Sequence, residues 1–123
     1  MRFQKVKLSQ EAHNRLRVLK GNTGLTPNIL CRFAFAHSIE NLQPLSTEEY
    51  DSDGQELNRP TLMGDHDDII VGLLRERCER DGVDTEDDAV LLQHLVGHIN
   101  RGVMSMSSSI KSLEDLVRIA PKV

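Results

Sequence analysis

Residues 20–34 read KGNTGLTPNILCRFA, and the fold turns on what Gly21 and Gly24 do within them. A phosphate-binding loop needs Gly-x-x-x-x-Gly-Lys-Ser/Thr after a strand, so that backbone N–H groups wrap the phosphates. Here the spacing is Gly-x-x-Gly, no Lys-Ser/Thr follows, and the residues before it have helical spacing. The dinucleotide fingerprint fails as well. The stretch therefore reads as a turn between two helices. Gly21 occupies the position where a left-handed residue closes a helix. Thr26 caps the next one, and Pro27 sits at its first position, where a missing N–H costs nothing.

Upstream, Ser9 caps a helix over Gln10 to Lys20, with Ala12, Leu16 and Leu19 on one face. His13, Arg17 and Lys20 share another face. Before it, RFQKVKL (residues 2–8) partly alternates, with Lys5 and Lys7 opposite Val6 and Leu8, which predicts a short strand or extended arm. Downstream, Ile29, Leu30, Phe33, Ala36 and His37 carry a helix to about Glu40. Residues 41–60, NLQPLSTEEYDSDGQELNRP, read as a long acidic loop. A third helix is expected over about Asp65 to Asp81, with Ile69, Ile70, Leu73, Leu74 and Cys78 as its buried stripe. Gly82 closes it. Thr85-Glu86-Asp87-Asp88 resembles a capping box for a fourth helix to about Asn100. Gly102 would end that helix, MSMSSS (residues 104–109) would be a flexible loop, and Ser112 would cap a short last helix.

The 123 residues suit one domain. It divides into a basic strand-helix-turn-helix part (1–40), the acidic loop (41–60) and a helical part (61–123). Aromatic residues are only 3%, so the core must come from Leu, Ile, Val and Ala, which favours helices. No apolar run approaches the ~20 residues of a membrane span, and no signal peptide is evident. The cytoplasm is the expected location, without membrane contact. Cys31 and Cys78 form no Cys-x-x-Cys pair and read as small apolar helix residues, not as a disulfide or redox site.

Other arrangements fail on chemistry. His94 and His98 stand i, i+4, but Leu95 replaces the glutamate that a zincin requires. Aligning Glu49, Asp51, Asp53 and Gly54 with a calcium loop puts Pro60 where a bidentate glutamate must close the site. His66, Asp67 and Asp68 could hold Mg²⁺ in a nuclease, but first-turn acids are ordinary at a helix start. Neither a metal nor a cofactor is expected, and no catalytic motif is found.

The charge is uneven. Seven basic residues and one acid precede Ser38, a net of +6, whereas residues 38–123 carry −10. A basic end on an acidic chain suggests a polyanionic partner. A short strand bearing Lys5 and Lys7, followed by two helices, has the element order of a ribbon-helix-helix unit, whose strands pair between chains and enter the DNA major groove. A lone strand cannot pair with itself, so this reading implies an oligomer.

Three blocks add a resemblance: LKGNTGLTPNILCR (residues 19–32), YDSDGQELNRPTLMG (50–64) and HINRGV (98–103). Together they resemble the DndE family of DNA sulfur-modification proteins. The resemblance implies a bacterial phosphorothioation system that replaces a non-bridging phosphate oxygen of DNA with sulfur. Within it, this chain would be a small DNA-binding member, while other modification proteins mobilise sulfur and supply ATP-dependent steps. It also implies self-association as a dimer or tetramer, with the glycine loop as a contact, and attachment to duplex DNA, nicked duplex included, through lysines.

The expectation is thus a mainly α domain with a short N-terminal strand that binds DNA rather than catalyses. Lys5, Lys7, Arg15, Arg17, Lys20 and Arg32 are the candidate phosphate contacts, and Gly21 and Gly24 the candidate assembly positions. The alternatives are a metal-dependent nicking enzyme using His66, Asp67 and Asp68, and an adaptor that docks other subunits through the acidic loop.

Overall fold

The computed structural model describes residues 1–46 and 50–119. Glu49 of the calcium alignment, part of the acidic loop and the last four residues lie outside them. Val6 faces inward and Lys5 and Lys7 outward on strand β1 (Lys5–Lys7). It pairs antiparallel with β2 (Glu56–Asn58), with Lys5 opposite Asn58, Val6 opposite Leu57 and Lys7 opposite Glu56. The pairing extends on both sides: Leu8 N–H donates to Gln55 O, Gly54 N–H to Leu8 O and Arg59 N–H to Gln4 O. β2 falls in the stretch expected to be loop. Three residues with one buried side chain leave no periodic signal, and only the tertiary pairing makes them a strand. β1 therefore has a partner within its own chain, and the inference of an oligomer from an unpaired strand loses its premise.

Helix α1 (Gln10–Thr23) starts as expected, with Ser9 Oγ accepting from Ala12 N–H. It does not end at Gly21. Gly24 closes it at φ 77°, its N–H donating to Lys20 O. The extra residues are held from the buried side: Thr23 is buried and its hydroxyl donates to Leu19 O at 2.7 Å. Helix α2 (Pro27–Glu40) begins with Pro27 as read, but the Thr26 hydroxyl donates to the Asn28 side chain and makes no cap bond to the backbone.

The expected third helix is preceded by a short one. Helix α3 (Arg59–Met63) leads through a 3-10 turn (Gly64–His66) into α4 (Asp67–Arg80). Ile70, Leu74 and Cys78 of α4 are buried, but Ile69 and Leu73 face outward. Helix α5 (Asp88–Ser109) is capped by Asp87, which accepts from Ala89 and Val90 N–H, so Thr85 is not the cap. It runs through Gly102 and the serine-rich stretch read as flexible. α6 (Leu113–Ile119) follows.

The chain is mainly α with a small two-stranded antiparallel sheet. α5 is the central element: α2, α1 and α4 all pack on it. Leu91, Leu95, Ile99, Val103 and Met106 of α5 meet Leu16 and Leu19 of α1, Leu30 and Ala34 of α2 and Leu74 of α4 in one core cluster. No helix among the described residues is long and apolar enough to cross a membrane.

Candidate nucleic-acid interface

The basic side chains divide by what already holds them. β1 turns Lys5 and Lys7 outward because Val6 between them is buried. Lys5 Nζ lies 3.4 Å from Glu56 on β2. Arg15 is bound to Glu11 at 2.8 Å and donates to Ser107 Oγ at 2.6 Å, which ties α1 to α5. Arg32 donates from Nε to Leu62 O at 2.7 Å and from Nη2 to Thr61 O at 3.2 Å. It caps the end of α3, and a Cβ on Gly64 would come within 2.7 Å of its guanidinium. Arg32 is a structural residue before it is a phosphate contact.

Lys7, Arg17 and Lys20 are different. All three are exposed, and among the described residues none forms a salt bridge. Arg17 and Lys20 are exposed on α1, outside its buried stripe of Ala12, Leu16, Leu19 and Thr23. Gly21 shares the outer ridge with Arg17, and a Cβ on it would meet nothing within 4 Å. Lys111 joins this end, and the sequence reading missed it. Asn22 donates to Ile110 O, and the neighbouring Lys111 side chain is exposed. Its only sequence signal is one lysine before a helix; the fold brings it to α1.

Of the residues offered for a metal, Asp67 is already engaged. Arg59 holds Asp67 with two bonds, 2.7 and 2.8 Å, donates to Met1 O at 2.9 Å and lies 4.4 Å over the Phe3 ring. That pairing keeps the Asp67 carboxyl below its ordinary range. Among the described residues no cluster of three His, Cys, Asp or Glu could hold a metal ion. Cys31 and Cys78 are free and buried. Burial pushes the Cys31 thiol up to about 12, so it has no thiolate character near neutrality.

The block HINRGV forms a polar junction at the end of α2. Arg77 pairs with Asp81 at 2.9 Å and donates to Ile39 O and Gln43 O. Arg101 donates to Ser38 O, Ser38 Oγ and Gln43 O. Two cations thus complement the negative end of the α2 dipole. Ser38 Oγ, which accepts from Arg101, also shares a hydrogen bond with His98 Nδ1, 2.9 Å away. Burial, with Arg101 and Arg77 beside it, lowers the His98 pKa to about 4. A cleft of about 270 Å³, lined by His37, Ser38, Glu40, Asn41, Arg101, Gly102 and Ser105, opens beside this junction. Its arginine is already engaged by carbonyls and offers an anion no free donor. Asn100, also in the block, accepts from both Ser9 N–H and Ser9 Oγ.

The sequence matches the family described as DNA sulphur modification protein DndE over residues 5–114, and the chain belongs to that family. No curated protein matches it. Among solved structures, it is similar to DndE from Escherichia coli B7A, involved in DNA phosphorothioation modification. The identity is 26% and the TM-score 0.72, covering 84% of this chain and 97% of that one. A second similar structure is a DndE variant with two glycines replaced by lysine, involved in DNA phosphorothioation. It is 23% identical with a TM-score of 0.71, over 86% of this chain and 99% of the other, and bears on the fold alone.

Proposed function

We propose that this DndE-family chain is a DNA-docking subunit of a phosphorothioation machinery, working in the cytoplasm with the other modification proteins. It binds duplex DNA, nicked duplex included, and leaves the chemistry to its partners. One observation carries the reading: Lys7, Arg17 and Lys20 stand exposed and unpaired by acids among the described residues, on the +6 end of a chain whose remainder is −10. Phosphates are the natural counterions for such a surface. Lys5 and Arg15 would have to exchange Glu56 and Glu11 for phosphate, which makes them secondary contacts. Arg32 stays with α3.

Self-association belongs to the same reading, with Gly21 and Gly24 as its contacts. Gly24 is required by its own positive φ. Gly21 is not: it lies inside a helix with open space before it. A glycine there weakens α1 for no reason among the described residues, and a close approach by another copy supplies one. A ribbon-helix-helix dimer is not part of the proposal, because β1 is already paired with β2.

The test is charge reversal. Lys7→Glu, Arg17→Glu and Lys20→Glu should each weaken duplex binding and lower the steepness of its salt dependence by about 0.9 in log–log slope. Arg32→Gln should disturb stability more than the slope. Unchanged binding in all three reversals would remove this surface from the account. The nicking alternative requires Asp67 to leave Arg59, and predicts metal-dependent plasmid cleavage that Asp67→Ala abolishes.

A further inference from the structure

The outer face of α4 carries an apolar patch that the chain does not cover. Ile69 is 62% exposed and Leu73 39%, although both are large aliphatic residues on a helix whose other face is core. Gly72 lies between them, mid-helix, and a Cβ on it would meet nothing within 4 Å. A glycine weakens a helix relative to alanine, and no packing among the described residues requires one at that position. Ile69 and Leu73 stand one turn apart on this face, and Gly72 beside them adds no side chain, so a second helix can approach closely.

The rim of the patch is acidic. Asp65, Asp68 and Glu76 are exposed around it, and among the described residues neither aspartate forms a salt bridge. Among the described residues Glu76 is met by Arg80, an exposed cation beside the rim, in a pair that is mostly solvent-exposed. This rim argues against two copies meeting face to face, since a two-fold contact would set like charges together.

We propose that the outer face of α4 docks an amphipathic helix of a partner protein, one whose apolar stripe is flanked by lysine or arginine. Ile69 and Leu73 flank the stripe, Gly72 lets it approach, and Asp65, Asp68 and Glu76 receive its basic rim. α4 and α1 each pack on α5. The proposal does not depend on DNA binding, and the test keeps the two apart.

The probe is a synthetic peptide of about 18 residues, long enough to form a helix, with a leucine stripe flanked by lysines. A control peptide has the same stripe flanked by glutamates. Each is titrated into the isotopically labelled full chain. The lysine-flanked peptide should shift amide resonances of residues 65–76. The control should bind about tenfold more weakly. An Ile69→Ser/Leu73→Ser variant and an Asp68→Lys/Glu76→Lys variant, both changed only at the surface and checked for unchanged unfolding, should each lose about tenfold in peptide affinity. Duplex DNA binding by the Ile69→Ser/Leu73→Ser variant should be unchanged. Equal binding of both peptides, shifts confined to other helices, or loss of self-association in these variants would each overturn the proposal, the last by making the face a contact between copies.

Discussion

Gly102 of α5 faces Ala34 of α2 so closely that a Cβ built on it would stand 1.9 Å from the Ala34 carbonyl oxygen. The two central helices touch backbone to backbone there. Gly102 is thus a packing residue, and its role explains why α5 continues past it. Gly102→Ala should destabilise the chain by about 3 kcal/mol or more, since backbone, unlike a flexible side chain, cannot yield. Chemical denaturation checks this; a loss below about 1 kcal/mol would show that the helices separate easily.

Arg77 is the most deeply buried arginine among the described residues. It is 5% exposed, paired with Asp81 and bonded to the carbonyls of Ile39, in the last turn of α2, and Gln43 beyond it. Arg77→Ala should cost about 3–5 kcal/mol, because a buried carboxylate and its carbonyls lose their partner. Arg80→Ala, removing an exposed pair on the same helix, should change stability by less than about 0.5 kcal/mol. The two unfolding midpoints compared in one buffer decide the point.

The buried His98 sets a pH dependence. Its folded pKa is lowered to about 4 from the ordinary 6.5, by burial first and then by Arg101, Arg77 and His94, with Asp81 opposing. Between those values the unfolded chain binds the extra proton and the folded chain does not. Stability should therefore fall as pH drops from about 6.5 towards 4, by about 2–3 kcal/mol from this residue. Asp67, whose folded pKa is lowered, adds its loss only on further acidification. His98→Gln should flatten the profile between pH 6.5 and 4 in urea unfolding; an unchanged slope would assign it to other groups.

Gly21 and Gly24 should respond to alanine with opposite signs. Gly21 has no positive φ and open space around it, so Gly21→Ala should stabilise the isolated chain by about 0.5–1 kcal/mol. Gly24 sits at φ 77°, so Gly24→Ala should cost about 1 kcal/mol. If Gly21 is an assembly contact, Gly21→Leu should reduce self-association in sedimentation equilibrium without loss of helix content.

Helix cores and some of the caps were readable from the sequence because they are local. Ser9, Pro27 and the Leu91–Ile99 stripe announce themselves within a few residues. The readings that failed depended on contacts across the chain. Gly102 looks like a helix stop until Ala34 is seen beside it. Glu56–Asn58 is a strand only because β1 is its neighbour. Thr23 carries α1 past Gly21 because it is buried. The candidate interface was legible as a charge imbalance, but not as individual contacts, since no spacing revealed that Arg32 caps α3 or that Lys111 lies beside α1. Much of the three blocks that carried the resemblance has structural work: Asn100 tethers Ser9, Arg101 holds the end of α2, and Arg59 anchors Asp67 and Met1.

The central claim is that the α1 and β1 surface docks on DNA. It is tested most directly by titrating the purified chain against matched intact and nicked duplexes at two salt concentrations. The account expects binding that weakens steeply as salt rises, for both duplexes. Any preference for the nicked duplex would identify the DNA state it holds. Absence of binding to either duplex at low salt would contradict the account and leave the chain as an adaptor between proteins.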